Sequence, residues 1–175
     1  MSITYNQIKL EVRQISEELA RSNSVVPGVF QSIKGGLLPA LIYFCFYIAC
    51  IYTDVYIKTV WQGVGVISIF FWVFITLFMS GYGRIFSMLP KDAGQRYEIV
   101  RIYTKKVKVY YLVWVAAIVV AGLVSVFSIL NIIALAGISL LSTVIIALAF
   151  NFDISRFQLA GLFGVLSAAK DNLNR

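Results

Sequence analysis

VYYLVWVAAIVVAGLVSVFSILNIIALAGISLLSTVIIALAFNF, residues 109–152, runs for 44 residues without a charge. As a continuous helix it is roughly 66 Å long, about twice the hydrocarbon thickness of a bilayer. The stretch therefore reads as two membrane-crossing helices joined by a tight turn. Asn131 and Gly137-Ile138-Ser139 are the two candidate turns. Asn131 is preferred, because a later turn leaves the fourth span too short. Two more uncharged windows precede it, residues 35–53 and 59–83. The chain reads as a four-span protein whose function must be argued with lipid as solvent.

Composition agrees. The 175 residues are 60% hydrophobic and 13% charged, with a mean hydropathy of +0.86. Four spans leave too little chain for a separate soluble core. The expected fold is all-α: an integral membrane bundle of four transmembrane helices (37–53, 60–80, 109–130 and 132–152). An N-terminal amphipathic helix and linker (1–34), a central connection (81–108) and a C-terminal interfacial helix (153–175) flank it. The polar N-terminus, with Glu11, Glu17 and Glu18, does not read as a signal peptide, which needs a basic start before an apolar core.

The net charge of +7 invites a nucleic-acid reading, but the basic residues sit at membrane edges and direct nucleic-acid binding is not expected. Lys9, Arg13, Arg21 and Lys34 precede the first span. Lys58 alone lies in the first turn. The central connection holds Arg84, Lys91, Arg96, Arg101, Lys105, Lys106 and Lys108. The second turn holds none, and Arg156, Lys170 and Arg175 follow the fourth span. Fourteen cations against one place both termini and the central connection in the cytoplasm by the positive-inside rule. The expected location is a membrane, crossed several times.

Along residues 2–22, Ile8, Val12, Ile15 and Leu19 recur at helical spacing. That helix is nearly charge-balanced, so its stripe should pack on protein, either the central connection or a second copy, rather than on lipid. Glu17 and Arg21 are spaced for an i,i+4 pair, and Ser22-Asn23-Ser24 with Pro27-Gly28 should end the helix. Pro39 is placed near the start of the first span, where a missing N–H is tolerated. Trp61 suits the outer interface. One helix is expected from about Asp92 into the third span, with Lys105, Lys106 and Lys108 reaching the phosphates of anionic lipids in the cytoplasmic leaflet. The alternative for these lysines is a purely topogenic anchor. Between Arg156 and Lys170 lie 13 uncharged, mostly apolar residues, too short to span. Phe157, Leu162, Phe163 and Leu166 should form the apolar side of the interfacial helix, with Asp153 or Ser155 as its cap.

The chemistry of catalysis is missing from the sequence. There is no His, no paired carboxylates and no phosphate loop, and Cys45 and Cys50 lack metal or redox spacing. An enzyme is not expected, and no cofactor or metal. Pumps and coupled transporters need buried charges, which the spans lack. Ser125, Ser128, Asn131, Ser139, Ser142 and Thr143 would either line an oligomeric channel or hydrogen-bond helices within one bundle.

The chain resembles the TraS entry-exclusion proteins of F-like conjugative plasmids. The resemblance is carried by VPGVFQSIKGGL (26–37) entering the first span, by FNFDISRFQL (150–159) leaving the fourth, and by size and hydropathy throughout. It implies an inner-membrane protein of a plasmid-bearing recipient that blocks redundant DNA transfer by recognising the donor's mating protein TraG. It assigns no recognition residues. Arg and Tyr anchor interfaces more often than other types, so Arg96, Tyr97, Arg101 and Tyr103 are the candidate contacts. A second copy of the chain is a further candidate partner. An immunity protein against a pore-forming colicin, or a small holin-like channel, would share the same size and span count.

Overall fold

A computed structural model describes residues 4–21, 29–53, 55–88 and 92–173. The chain is all-α, with no strand among the described residues. Its helices are α1 (Tyr5–Arg21), α2 (Val29–Ala49, followed by a 3₁₀ turn at Cys50–Tyr52), α3 (Lys58–Met88), α4 (Ala93–Arg96), α5 (Glu98–Phe127) and α6 (Asn131–Leu173). Among the described residues, four segments are long and apolar enough to cross a membrane: Gly35–Tyr52, Lys58–Ser80, Glu98–Phe127 and Asn131–Ser155. In an apolar 18-residue stretch of each, only 22–28% is buried within the chain. The outward apolar surface left over needs a lipid solvent, and the protein is a multi-pass membrane protein.

The boundaries differ from expectation in three places. Helix α2 begins at Val29, so Pro39 lies inside it rather than near its start. The carbonyl that a proline ring crowds belongs to Gly35, which has no side chain to add to the conflict. The central connection is not one helix from Asp92. It breaks at Tyr97, whose backbone is extended (φ −109°, ψ 122°). The tail does not start a new helix at residue 153, because α6 carries on through it to Leu173. Asp153 is therefore interior to a helix and is not its cap. On α1, Glu17 accepts from Arg13 at 3.0 Å; the side chain of Arg21, its expected partner, lies outside the described residues. The expected end of α1 at residues 22–28 and the side chains of residues 156–173 lie outside the described residues.

Two compact units are resolved by their internal contacts, one of residues 26–87 and 111–147 and one of 1–25, 88–110 and 148–175. In the first unit α2, α3, the later part of α5 and the earlier part of α6 enclose a core of Tyr43, Tyr47, Cys50, Trp72, Trp114, Ile118 and Leu135. Lipid tails are as apolar as this core, so burial alone does not hold these helices together; close packing and hydrogen bonds do. Small residues supply the closeness. A Cβ on Gly36 would lie 2.9 Å from the Thr76 backbone, and one on Gly122 would enter the Phe46 ring. Hydrogen bonds are internal: Tyr43 Oη with Ser68 Oγ at 2.6 Å, and Trp114 Nε1 donating to Thr143 Oγ1 at 2.9 Å. Tyr47 and Trp61 lock reciprocally, each side chain donating to the other's carbonyl at 2.8 and 3.2 Å, with rings stacked 4.5 Å apart.

The turn between the third and fourth spans falls where the sequence places it. The chain bends at Ser128–Leu130, and α6 begins at Asn131 with φ +43°. Asn tolerates this left-handed geometry better than most residues. Its side-chain amide donates to Thr53 Oγ1, which donates to the Cys50 carbonyl at 2.8 Å. The two turns are thereby tied together.

Candidate functional site: the basic approach to the third span

The second unit contains the residues that sequence reasoning singled out. The first half of the α1 stripe, Ile8 and Val12, packs on the central connection. Ile8 is buried against Val12, Ile99 and Ile102. Glu11 accepts the Ile99 backbone N–H at 2.8 Å, supplying from another helix a cap for one of the orphan donors at the α5 N-terminus. Losing such a cap costs about 1 kcal/mol. Glu11→Ala should therefore speed amide exchange at residues 99–101 while leaving the core around Trp72 protected. Unchanged exchange at Ile99 would show that the carboxylate holds nothing in place.

Beyond this cap, α5 presents two faces. Arg101, Lys105 and Lys108 follow a 4, 3 spacing and are all exposed. Tyr103, Lys106 and Tyr110 follow a 3, 4 spacing on another side, where they meet α6. Tyr103 and Tyr110 set edges against Phe150, with ring centres 6.3 and 5.4 Å away. Lys106 ion-pairs with Asp153, which also accepts from Tyr110 Oη at 3.4 Å. Ile154 beside it is buried.

This geometry sorts the expected site residues. Of the three lysines read as headgroup contacts, Lys105 and Lys108 point outward, while Lys106 is half-buried and engaged by Asp153. Of the candidate partner contacts, Arg96 and Arg101 are 60% and 57% exposed, paired to Asp92 at 2.6 Å and Glu98 at 3.2 Å. Exposed pairs of this kind are weak enough to be exchanged for a partner's acid. Tyr97 is buried, 7% exposed, so it seats the corner between α4 and α5 and offers no outward contact. Tyr103 is half-buried against Phe150. Phe157, Leu162, Phe163 and Leu166 belong to the backbone of α6, and their side chains lie outside the described residues.

Sequence reasoning missed Asp153 as a partner for Lys106. One signal was available: it is the first acid after a long uncharged span, and an acid at a membrane edge tends to have a named partner.

Four members of the polar series in the other unit, Ser125, Asn131, Ser142 and Thr143, are engaged inside the chain. Ser125 is buried, donates to the Gly122 carbonyl at 2.7 Å and meets Cys50 Sγ at 3.5 Å. Thr143 donates to the Ser139 carbonyl at 2.6 Å while accepting from Trp114, and Ser142 donates to the same carbonyl at 3.1 Å. Ser128 Oγ and Ser139 Oγ are buried without a hydrogen bond. Asn131 holds Thr53. Compared with known proteins, the chain matches no family model, no curated protein and no solved structure.

Proposed function

We propose that this multi-pass membrane protein is a recognition module of the bacterial inner membrane, acting in entry exclusion: it blocks redundant plasmid transfer by engaging the donor's mating protein. One observation favours recognition over transport. Tyr43, Ser68, Trp114, Thr143 and Asn131 bond within the bundle, whereas Arg96, Arg101, Lys105 and Lys108 stay exposed on the approach to the third span. Polar groups arranged this way favour contact with a partner over a path for ions or solutes. Exclusion in particular rests on the resemblance of residues 26–37 and 150–159 to the TraS proteins. The charge distribution supports cytoplasmic termini and a cytoplasmic central connection.

Recipients expressing the chain, challenged with donors carrying the same plasmid and with donors carrying an unrelated one, provide the test. Transfer from cognate donors should fall by at least an order of magnitude, with unrelated donors unaffected. Equal transfer from both would remove exclusion as the function. Protection against a pore-forming colicin under the same expression would point to immunity instead.

A further inference from the structure

The turn end of the α2–α3 and α5–α6 hairpins is apolar where turns are ordinarily polar. Tyr52, Phe127 and Ile129 are each 85% exposed, and Ile57 and Leu130 are exposed beside them. Neither turn contains Gly or Pro, and Asp54 and Lys58 are their only ionisable groups apart from tyrosine. Between the turns lies an open cleft of about 80 Å³, walled by Val55, Tyr56 and Trp61 on one side and by Ile129, Leu130 and Ile132 on the other.

Most polar atoms nearby are already used, and the Ser128 hydroxyl is buried away from the surface. Asn131 holds Thr53, Thr53 holds the Cys50 carbonyl, and Tyr47 and Trp61 satisfy one another. A hydrogen-bonding, water-soluble partner would find few groups to grip. The exposed apolar surface also continues from the second turn onto the outer sides of its helices, with Ile133 on α6 and Leu123 and Val124 on α5, and beyond Lys58 to Val66 and Ile67 on α3. Tyr52, Tyr56 and Trp61 are the ring types that settle at headgroup level.

We propose that this tip is a lipid-binding surface: both turns sit within the headgroup layer of the membrane, and the cleft between them takes the glycerol and upper acyl region of a phospholipid. The inference goes beyond the exclusion reading and does not depend on it. It also implies that the two turns themselves, as distinct from the α3 start at Lys58 and Gln62, offer little water-facing surface to a soluble partner.

The test uses the full chain reconstituted in phosphatidylglycerol–phosphatidylcholine vesicles. A spin label is placed at Ile129→Cys or Tyr52→Cys with Cys45→Ser; Cys50, fully buried, is retained. Reference labels are Ile67→Cys, lipid-facing on α3, and Gln7→Cys, exposed on α1. Labels at the tip should collide several-fold more with oxygen than with an aqueous nickel chelate, approaching the behaviour at Ile67. A second measurement needs no cysteine: lipids brominated near the carbonyl end should quench the Trp61 emission, taken as the difference from Trp61→Phe, more than lipids brominated at mid-chain. Chelate access at Ile129 equal to that at Gln7 would overturn the proposal and leave the tip to a protein partner. So would Trp61 emission indifferent to both brominated lipids.

Discussion

Replacing Trp114 by Ala is expected to cost about 2–4 kcal/mol of unfolding free energy in mixed micelles. The ring is 5% exposed and sits 5.9 Å from Trp72 and 6.2 Å from Tyr111. Its Nε1 donates to Thr143 Oγ1 across to α6. The usual transfer contribution is small here, because the alternative solvent is lipid. What is lost is dispersion contact, a cavity the helices cannot fully close, and one interhelical hydrogen bond. Trp114→Phe keeps most of the ring and forfeits the bond, so it should cost about 1 kcal/mol or less. A titration with denaturing detergent, followed by far-UV circular dichroism, separates the two. If Trp114→Ala unfolds with the wild type, the aromatic centre of this unit does not hold α5 to α6.

The second large effect belongs to Lys106. Its ammonium and the Asp153 carboxylate are 22% and 29% exposed, so each depends on the other more than a surface pair would. Removing one partner of a fully buried pair costs about 3–5 kcal/mol; partial exposure lowers the expectation for Lys106→Ala to about 2–3 kcal/mol. Asp153→Asn should cost less, because its amide oxygen can still accept from Tyr110 and from the lysine. The double variant Lys106→Asp, Asp153→Lys should recover much of the loss, and a double-mutant cycle measures the coupling directly. Additive losses with no recovery would mean that the two charges act separately, Lys106 as a plain membrane anchor. Lys105→Gln and Lys108→Gln, on the outward face, should barely change stability.

The spans were legible because a water-soluble fold has almost no use for charge-free windows of bilayer length. The turn at Asn131 was legible from length alone, and its left-handed backbone gives the physical reason for Asn there. The stripe on α1 was legible as a protein-facing surface because its charges nearly cancel. What the sequence hid is long-range. No local pattern reports that Glu11 caps a helix starting 87 residues later, or that Lys106, alone among three neighbouring lysines, turns toward Asp153. Tyr97 has the look of an exposed anchor, yet its burial breaks the expected helix. The continuation of α6 past Asp153 was hidden by the charge itself, which reads as an end until its partner on α5 is known.

The proposed role requires four membrane crossings with the charged segments on one side, as the charge distribution predicts. Single cysteines at Asn23, Lys91, Asn174 and Gln62, in a Cys45→Ser background, measure this in intact cells with an impermeant maleimide. Gln62 should react from outside, and the other three only after the cells are opened. Reaction at Asn23, Lys91 or Asn174 in intact cells, with Gln62 protected, would contradict the orientation. Reaction at Asn23 but not at Asn174 would contradict the even number of crossings.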